Sequence, residues 1–449
     1  MKNILKYGLL LPALLIFTCT GCRKMASTDL PPNQLTPDKV FGDSSSAVAA
    51  TANLYTLFGT VDANFIRYIG TYTDELKTTT VSSVSTEFTN GSLTTGNTAV
   101  LSIWQNLYAT IYKANALLEG IQPVKSLPPT LKNTCMGEAR FVRAYCYYQL
   151  VNIYGDVPLV LTTAVTQNAK AARSPAKAVM TRVILDLTEG QRLLPAAYPF
   201  GGEKIQANRW AAAALLAKAY LFNNDYVHAG AQADQVISSG QYNLLSNLNQ
   251  VFTANNAEAI LQLWNSTGAS TLNSVPSSGI PVYQVSPQLL ASFETGDKRR
   301  TSWVNSVTVS GLQYYYPYTY KQRNPTTGPL AEYSTYIRLA ELYLIRGESR
   351  LRQQDLSGAR ADLNTIRQRA GLPATTATTA DELLTAIRQE RQAELFNEGG
   401  NRFIDLKRYQ TIDQVLSPIK PLWKPSSALF PIPQAEILND PNLTQNPGY

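Results

Sequence analysis

The chain has 449 residues, of which 44% are hydrophobic, 16% charged and 10% aromatic, which excludes a disordered, a collagen-like or a small disulfide-stapled protein. A single histidine and four cysteines exclude a His-rich metal site, while 25 tyrosines favour binding through aromatic surface. The net charge of +7 falls to +5 if a leader carrying Lys2 and Lys6 is removed, and a surplus this small and scattered does not indicate nucleic-acid binding.

The amino terminus predicts an export signal. Lys2 and Lys6 precede a mostly apolar run that is too short to span a bilayer. The ending Thr20-Gly21-Cys22 resembles a bacterial lipobox, in which the cysteine is lipidated, although Cys19 stands where Leu or Val is usual. We predict a lipoprotein signal peptide at 1–21, a tether at 22–43 and one domain at 44–449. An ordinary cleaved signal that leaves a free cysteine is the alternative.

Helical periodicity and caps predict helices through most of the remaining chain. One helix is predicted in GEARFVRAYCYYQLVNIYGDVP, with two adjacent apolar stripes and a stop at Gly155 and Pro158. Cys135 and Cys146 would lie about 16 Å apart on a continuous helix, too far for a disulfide, so both are predicted to be buried thiols. The other predicted helices lie at 46–58, 100–119, 176–193, 208–222, 226–238, 334–353, 356–370 and 380–397; the last opens with Thr379 and Glu382 at capping-box spacing.

Two helix pairs have the spacing of small and large residues that is typical of the tetratricopeptide repeat. The first contains Leu216, Ala217, Tyr220 and Ala229, and the second contains Gly347, Leu351, Asp355 and Ala359. The pairs lie far apart in the chain, so they do not form a regular tandem array. The predicted fold class is mainly α, a tetratricopeptide-like α/α superhelix with an irregular, loop-rich binding lobe.

Two long segments interrupt the helical pattern. Residues 71–98 are rich in Thr, Ser and Gly, and 264–330 combine prolines with Tyr and Trp. Long irregular segments on a rigid scaffold are common places for binding residues. The segment LQYYYPYTY also alternates enough to be a short strand whose tyrosines cover the core.

Five segments together resemble the SusD/RagB family of outer-membrane nutrient-binding lipoproteins. They are YATIYKANALL (108–118), GEARFVRAYCYYQLVNIYGDVPL (137–159), YIRLAELYLIRGESRLRQQDLSGARADLNTIRQRAG (336–371), IRQERQAELFNEGGNRFIDLKR (387–408) and FPIPQAEILNDPNLTQNPGY (430–449). They occur in the family's order, behind the lipobox, and span nearly the whole mature chain.

The resemblance implies a non-catalytic protein that captures a glycan or oligosaccharide and delivers it to a TonB-dependent, SusC-like porin. It implies no cofactor and no metal ion, no nucleic-acid partner, and attachment to the outer membrane only through the lipid on Cys22, on the cell surface or on the periplasmic face. Because the chain is short for the family, we expect a shallow site for a short glycan. By position in the two irregular segments, the candidate ligand-binding residues are Asp74, Phe88, Asn90, Tyr283, Trp303, Tyr314, Tyr315, Tyr316 and Tyr318.

The charged run from Arg388 to Arg402 is interpreted as a solvated helix face with i, i+3 and i+4 pairs, with a partly buried ion pair of Glu394 and Arg402 near the helix end. His228 is predicted to lie on a helix surface. A tetratricopeptide-like periplasmic scaffold for peptides and a glycoside hydrolase remain alternatives, the latter because two carboxylates suffice for that chemistry. No GxSxG, HExxH or GxxxxGK[ST] motif is present.

Overall fold

A computed structural model describes residues 41–264, 279–322 and 331–449, with the side chains of 57–64 excepted. The predicted signal peptide, Cys22 and most of the predicted tether lie outside the described residues. Within them, no helix is long and apolar enough to cross a membrane.

Helices dominate the described chain, and the predicted mainly α class is confirmed. In chain order they are α1 (Ser44–Tyr72), α2 (Ser83–Asn90), α3 (Thr98–Ile121), α4 (Pro129–Tyr154), α5 (Val165–Asn168), α6 (Ala176–Leu193), α7 (Arg209–Phe222), α8 (Tyr226–Ser238), α9 (Pro287–Ser292), α10 (Lys298–Ser302), α11 (Leu339–Arg352), α12 (Leu356–Arg369), α13 (Ala380–Glu394), α14 (Asn401–Arg408), α15 (Ile412–Leu416) and α16 (Gln434–Asn439).

The ends of these helices follow from local sequence. Thr379 caps α13 in a capping box with Glu382, as its spacing predicts. Gly155 ends α4 with a φ of 75°, a conformation that glycine adopts without a steric penalty. Towards the amino terminus the structure differs from prediction: α1 continues to Tyr72, and α2 lies within the segment predicted to be irregular.

The long helices stack side by side. From α3 the order of packing is α4, α6, α7, α8, α11, α12 and α13, with α1 against α3 and α4. The two tetratricopeptide-like pairs, α7 with α8 and α11 with α12, are therefore joined directly through α8 and α11. Small residues permit these approaches: a Cβ at Gly230 would lie 3.1 Å from the Cβ of Ser349, and one at Gly347 would lie 3.3 Å from the Cβ of Asp362.

The strands are short and pair antiparallel in twos. They are β1 (Leu76–Thr78), β2 (Val157–Pro158), β3 (Arg173–Ser174), β4 (Ala259–Leu263), β5 (Tyr283–Val285), β6 (Val304–Val309), β7 (Leu312–Pro317) and β8 (Ser334–Arg338). The pairs are β1 with β5, β2 with β3, β4 with β8, and β6 with β7. The predicted helix at 334–353 is therefore wrong in its first turn, because Ser334–Arg338 pairs with β4 and the helix begins at Leu339.

The main hydrophobic core lies between α1, α3, α4, α6 and α7, and it includes Cys135 and Cys146. Both cysteines are buried free thiols, as predicted. His228 lies on the surface of α8, also as predicted, and its Nδ1 is 2.7 Å from a carboxylate oxygen of Asp225. A smaller core surrounds Trp303.

The interpretation of the charged run as a solvated face is wrong. Glu390, Arg391, Glu394 and Glu398 are all at most 6% exposed. Glu394 does not pair with Arg402; it lies among three guanidinium groups from distant parts of the chain, those of Arg299, Arg338 and Arg369. These charges form an internal network that ties α10, β8 and α12 to α13. Such buried charges are stable only when they are paired and hydrogen-bonded.

Candidate functional site

The two irregular segments meet at a small sheet. β1 from the first pairs with β5 from the second, and Thr78 lies opposite Tyr283. The Thr79 amide extends this pairing by donating to the carbonyl of Val282 at 2.9 Å. The structure therefore brings together segments that are about 200 residues apart in the chain.

A cleft of about 520 Å³, cleft A, opens beside this sheet. Its walls carry many hydroxyl groups, from Thr71, Thr78, Thr80, Ser82, Ser85 and Thr98. Two tyrosines, Tyr68 and Tyr283, and the guanidinium of Arg67 also line it. Hydroxyls, aromatic rings and a fork of N–H donors are the groups that suit a ligand with many hydroxyls and apolar C–H faces.

The aromatic side of cleft A is held by the core. The ring of Tyr68 stacks on that of Phe88, with centroids 4.8 Å apart, and the guanidinium carbon of Arg67 lies 4.8 Å from the Tyr68 centroid. Burial raises the pKa of Tyr283, and the nearby Arg67 opposes this shift without reversing it. The Tyr283 phenol is therefore neutral at pH 7 and available as a hydrogen-bond donor.

Two further clefts continue from cleft A. Cleft B, of about 360 Å³, shares Thr78 with cleft A and is lined by Asp74, Lys77 and Lys420. Cleft C, also about 360 Å³, shares Gln288 with cleft B and is lined by glutamines and two arginines. Shared lining residues therefore make the three clefts neighbours along β1 and the start of α9.

Asp74 anchors this region. Its carboxylate accepts hydrogen bonds from Arg402 of α14, Nε to Oδ1 at 2.8 Å and Nη2 to Oδ2 at 2.6 Å, and its backbone carbonyl accepts from the Ser286 hydroxyl. Only 3% of Asp74 is exposed. The neighbouring Glu75 is also buried, and burial together with the charge of Asp74 raises the pKa of Glu75 to about 8.

Several residues predicted to bind ligand lie in the core. Phe88 and Trp303 are fully buried, Tyr316 is 5% exposed, and Asp74 is held by Arg402. Trp303 packs edge to face on Phe252 and donates its Nε1–H to the carbonyl of Leu248 at 2.9 Å. These side chains present almost no surface to a ligand in solution. The structure gives them packing or anchoring positions, with Phe88 in the wall of cleft A and Asp74 in that of cleft B, and their contact with a ligand stays a prediction.

The remaining predicted residues are partly exposed. Tyr283 lines cleft A, whereas Asn90, Tyr314, Tyr315 and Tyr318 line none of the three clefts. The tyrosine-rich segment forms β7, which pairs with β6 around a turn at Ser310 and Gly311 and lies beside β5. The strand alternative is therefore confirmed for Leu312–Pro317, where Tyr316 is the buried tyrosine. Arg300 lies over the Tyr315 ring at 4.5 Å and covers that ring.

Sequence reasoning missed Arg67, Tyr68 and Lys420. Arg67 and Tyr68 lie in the last turns of α1, beyond the predicted end of that helix, and Lys420 comes from a carboxy-terminal loop. A signal for the α1 residues existed, since the apolar periodicity continues through Phe65, Ile69 and Tyr72, which are all buried. Nothing local identifies Lys420, because it reaches the site only through the tertiary fold.

No group of three or more His, Cys, Asp or Glu side chains in the described chain is placed to hold a metal ion. Among the described residues that line the three clefts, Asp74 is the only carboxylate. Hydrolysis of a glycosidic bond ordinarily uses a pair of carboxylates, one of which gives up or accepts a proton. The geometry of the clefts fits binding and lacks that pair.

A helix-pair scaffold whose irregular segments form a hydroxyl-lined aromatic cleft defines a class of carbohydrate-binding protein. Two family models match the chain: one described as "Starch-binding associating with outer membrane" over residues 38–221, and one described as "SusD family" over 306–449. The chain belongs to the SusD/RagB family. The resemblance seen in the five sequence segments is thereby confirmed.

Relatives and solved structures agree with this assignment. SusD-like protein P38 of Formosa agariphila is 24% identical over 425 residues, covering 80% of this chain and 82% of that protein. SusD-like protein P25 of the same organism is 24% identical over 277 residues, and the match spans about half of that protein, 51%. A SusD-like protein of Bacteroides fragilis has a TM-score of 0.81 at 21% identity, over 92% of this chain and 98% of that one. A structure described as a laminarin-binding SusD-like protein has a TM-score of 0.74 at 24% identity, over 90% of this chain and 99% of that one.

Proposed function

We propose that this chain is a lipid-anchored outer-membrane protein that binds an oligosaccharide in cleft A and delivers it, uncleaved, to a TonB-dependent SusC-like porin. The observation that carries the proposal is the cleft itself, a concave surface of about 520 Å³ where hydroxyls, two tyrosines and an arginine converge. Pockets of this size that combine aromatic surface with a few placed polar groups are typical ligand sites.

The side chains around cleft A would act on a bound sugar in different ways. Tyr283 and Tyr68 offer aromatic surface, and Arg67 with the surrounding hydroxyls offers hydrogen bonds to sugar hydroxyls. Phe88 supports Tyr68 from behind, and Asp74 fixes β1 to α14. The partly exposed Asn90, Tyr314, Tyr315 and Tyr318 are proposed to touch only a longer glycan that leaves the cleft.

The family supports the ligand class and the partner. One family model is described as starch-binding, and one structural neighbour is described as laminarin-binding. Lipidation at Cys22 and delivery to a porin are proposed from the lipobox and the family. Neither needs a catalytic group, and among the described residues the clefts contain no pair of carboxylates.

The proposal is tested by calorimetric titration of the mature protein with a panel of short oligosaccharides. Tyr283→Ala is expected to weaken binding by ~1–3 kcal/mol, a scale taken from stacking of aromatic rings on nucleobases. The matched control is Tyr112→Ala, an exposed tyrosine of α3 that lines none of the clefts and should leave affinity unchanged.

Three results would overturn the proposal. Equal affinities of Tyr283→Ala and the unaltered protein would place the site elsewhere. Binding of peptides without any sugar affinity would favour the tetratricopeptide-like scaffold. Hydrolysis of a bound oligosaccharide that is lost on replacing one carboxylate would make the protein a glycoside hydrolase. Delivery is tested separately, by isolating the protein from outer membranes and identifying a TonB-dependent porin among the co-purifying proteins.

A further inference from the structure

The charged side chains that line the three clefts are mostly cationic. Among the described lining residues the only carboxylate, that of Asp74, is already paired with a guanidinium. The cations are Arg67 in cleft A, Lys77 and Lys420 in cleft B, and Arg388 and Arg402 in cleft C. Because Arg402 is the partner of Asp74, the positive charge beside a ligand in these clefts comes mainly from Lys77, Lys420 and Arg388.

Lys420 is the buried lysine of cleft B. It is only 6% exposed, and its stem packs on Gly91, where an added Cβ would lie 3.1 Å from the Cβ of Lys420. Its Nζ donates to the backbone carbonyl of Thr71 at the carboxyl end of α1, and it forms no ion pair within the described part of the chain. A helix end supplies only about half a negative charge.

Burying an ammonium group without a full counter-charge is unfavourable. Burial lowers the pKa of Lys420 to about 8, while Asp74 opposes the shift and the nearby charge of Lys77 adds to it. Lys77 is exposed at the same cleft and also lacks an ion pair among the described residues. An anion bound in cleft B would lie beside both lysines and offset the repulsion between their charges.

Cleft C is also lined by cations, two arginines, whose guanidinium groups suit planar or tetrahedral anions. The Arg388 guanidinium stacks on the Tyr409 ring at 4.0 Å, and its Nε is buried without a hydrogen-bond partner in the described part of the chain. Gln288, Gln389 and Gln392 line the same cleft. Guanidinium groups bind carboxylate and sulfate-like oxygens through paired N–H donors.

We propose that the ligand is an acidic glycan, whose carboxylate or sulfate groups lie against Lys77 and Lys420 in cleft B while a sugar ring occupies cleft A. This inference rests on the proposed glycan-binding function and names the ligand class of that site. A chain of several sugars would continue past Gln288 into cleft C. Such an extended site would differ from the shallow site for a short glycan that the chain length leads us to expect.

The test is calorimetric titration of the mature protein with three matched probes: oligogalacturonate, which carries carboxylates, oligosaccharides of a sulfated galactan, and neutral laminarin oligosaccharides. One or both acidic probes are expected to bind at least about tenfold more tightly than the neutral probe at low salt, and to lose most of this advantage in about 0.5 M salt. Lys77→Gln and Lys420→Met should each weaken binding of the acidic probe by about tenfold, as for a hydrogen bond to a charged group. Lys177→Gln, an exposed lysine of α6 outside the clefts, is the control and should change nothing.

The outcomes separate the two proposals. If laminarin oligosaccharides bind most tightly, with no dependence on salt or on the lysines, the acidic class is wrong and the glycan-binding function stands. If no glycan binds at any salt concentration, both fail. If Lys420→Met does not fold, Lys77→Gln decides, because Lys77 is exposed; unchanged affinity for the acidic probe in that variant would overturn the inference.

Discussion

Replacing Trp303 by Phe separates the structural role of this residue from the ligand-binding role predicted from its sequence context. Its indole ring is fully buried, with Phe252 edge to face at 5.5 Å and the Arg338 and Arg369 guanidinium carbons at 5.6 and 5.9 Å from the ring. The Nε1–H donates to the carbonyl of Leu248 at 2.9 Å. The ring therefore closes the smaller core and faces the internal charge network.

The expected loss of stability follows from these contacts. Truncation to Ala would cost about 3–5 kcal/mol for the cavity, which is a large part of the stability of a typical domain. Phe retains one ring, so its cavity is smaller. Without the indole donor the Leu248 carbonyl keeps only the long hydrogen bond from the Val251 amide, at 3.5 Å, and the lost bond costs about 0.5–1.5 kcal/mol. We expect Trp303→Phe to lower the free energy of unfolding by about 2–3 kcal/mol.

The assay is equilibrium unfolding in urea, followed by titration of the folded variant with the glycan. The midpoint should fall with little change in the denaturant slope, and the affinity should stay within about twofold of the unaltered protein. Trp264, which is 52% exposed, provides the matched control, since Trp264→Phe should change stability by less than about 0.5 kcal/mol. Full stability of Trp303→Phe combined with a tenfold loss of affinity would refute the reasoning and restore Trp303 as a ligand contact.

Two further predictions concern the scaffold. Gly400 has a φ of +72°, and an added Cβ would lie 2.2 Å from Cε1 of Phe65, so Gly400→Ala should lower stability by more than about 2 kcal/mol in thermal unfolding. The control is Gly240→Ala, which has a φ of +67° and open space around it and should cost only about 1 kcal/mol. Equal losses in the two variants would contradict the clash with Phe65. Burial and Asp74 raise the pKa of Glu75 from its ordinary value of 4.5 to about 8, so folding retains a proton that the unfolded chain releases. The resulting stability is complete below about pH 4.5 and is lost as pH rises through 8, by roughly 5 kcal/mol at most. Glu75→Gln should flatten this fall in urea midpoints measured from pH 5 to 9, and an unchanged slope would assign it to other groups.

The helical scaffold could be predicted because its signals are local. The bounds predicted at 176–193 and 226–238 match α6 and α8, where the apolar period and the flanking residues agree. The strand Ser334–Arg338 was missed because its buried run continues directly into α11, whose N-cap residue Arg338 makes no side-chain capping bond. The helix α2 did carry a signal, since Ser82 and Ser85 form a capping box and Gly91 follows in the left-handed conformation.

The interior charges could not be predicted, because their partners come from distant positions. Spacing within 388–402 indicates only pairs on one helix, whereas Glu394 is bound by Arg299, Arg338 and Arg369. The favourable fields of these guanidinium groups outweigh burial and keep the pKa of Glu394 well below its ordinary value. A charged sequence is thus compatible with a buried helix when tertiary contacts supply complete pairing.

The same argument explains why the sequence located the segments beside the clefts but not which of their side chains lie on the cleft walls. Aromatic residues and carboxylates in 71–98 and 264–330 could either contact a ligand or hold the segments to the scaffold. In the structure, Asp74 holds its segment to the scaffold through Arg402, and Trp303 holds its segment by packing in the smaller core. Cations therefore remain on the cleft walls while the carboxylate beside them is neutralised by a guanidinium. If the ligand is the acidic glycan proposed above, Lys77 and Lys420, rather than Asp74, are the residues that would distinguish it from a neutral one.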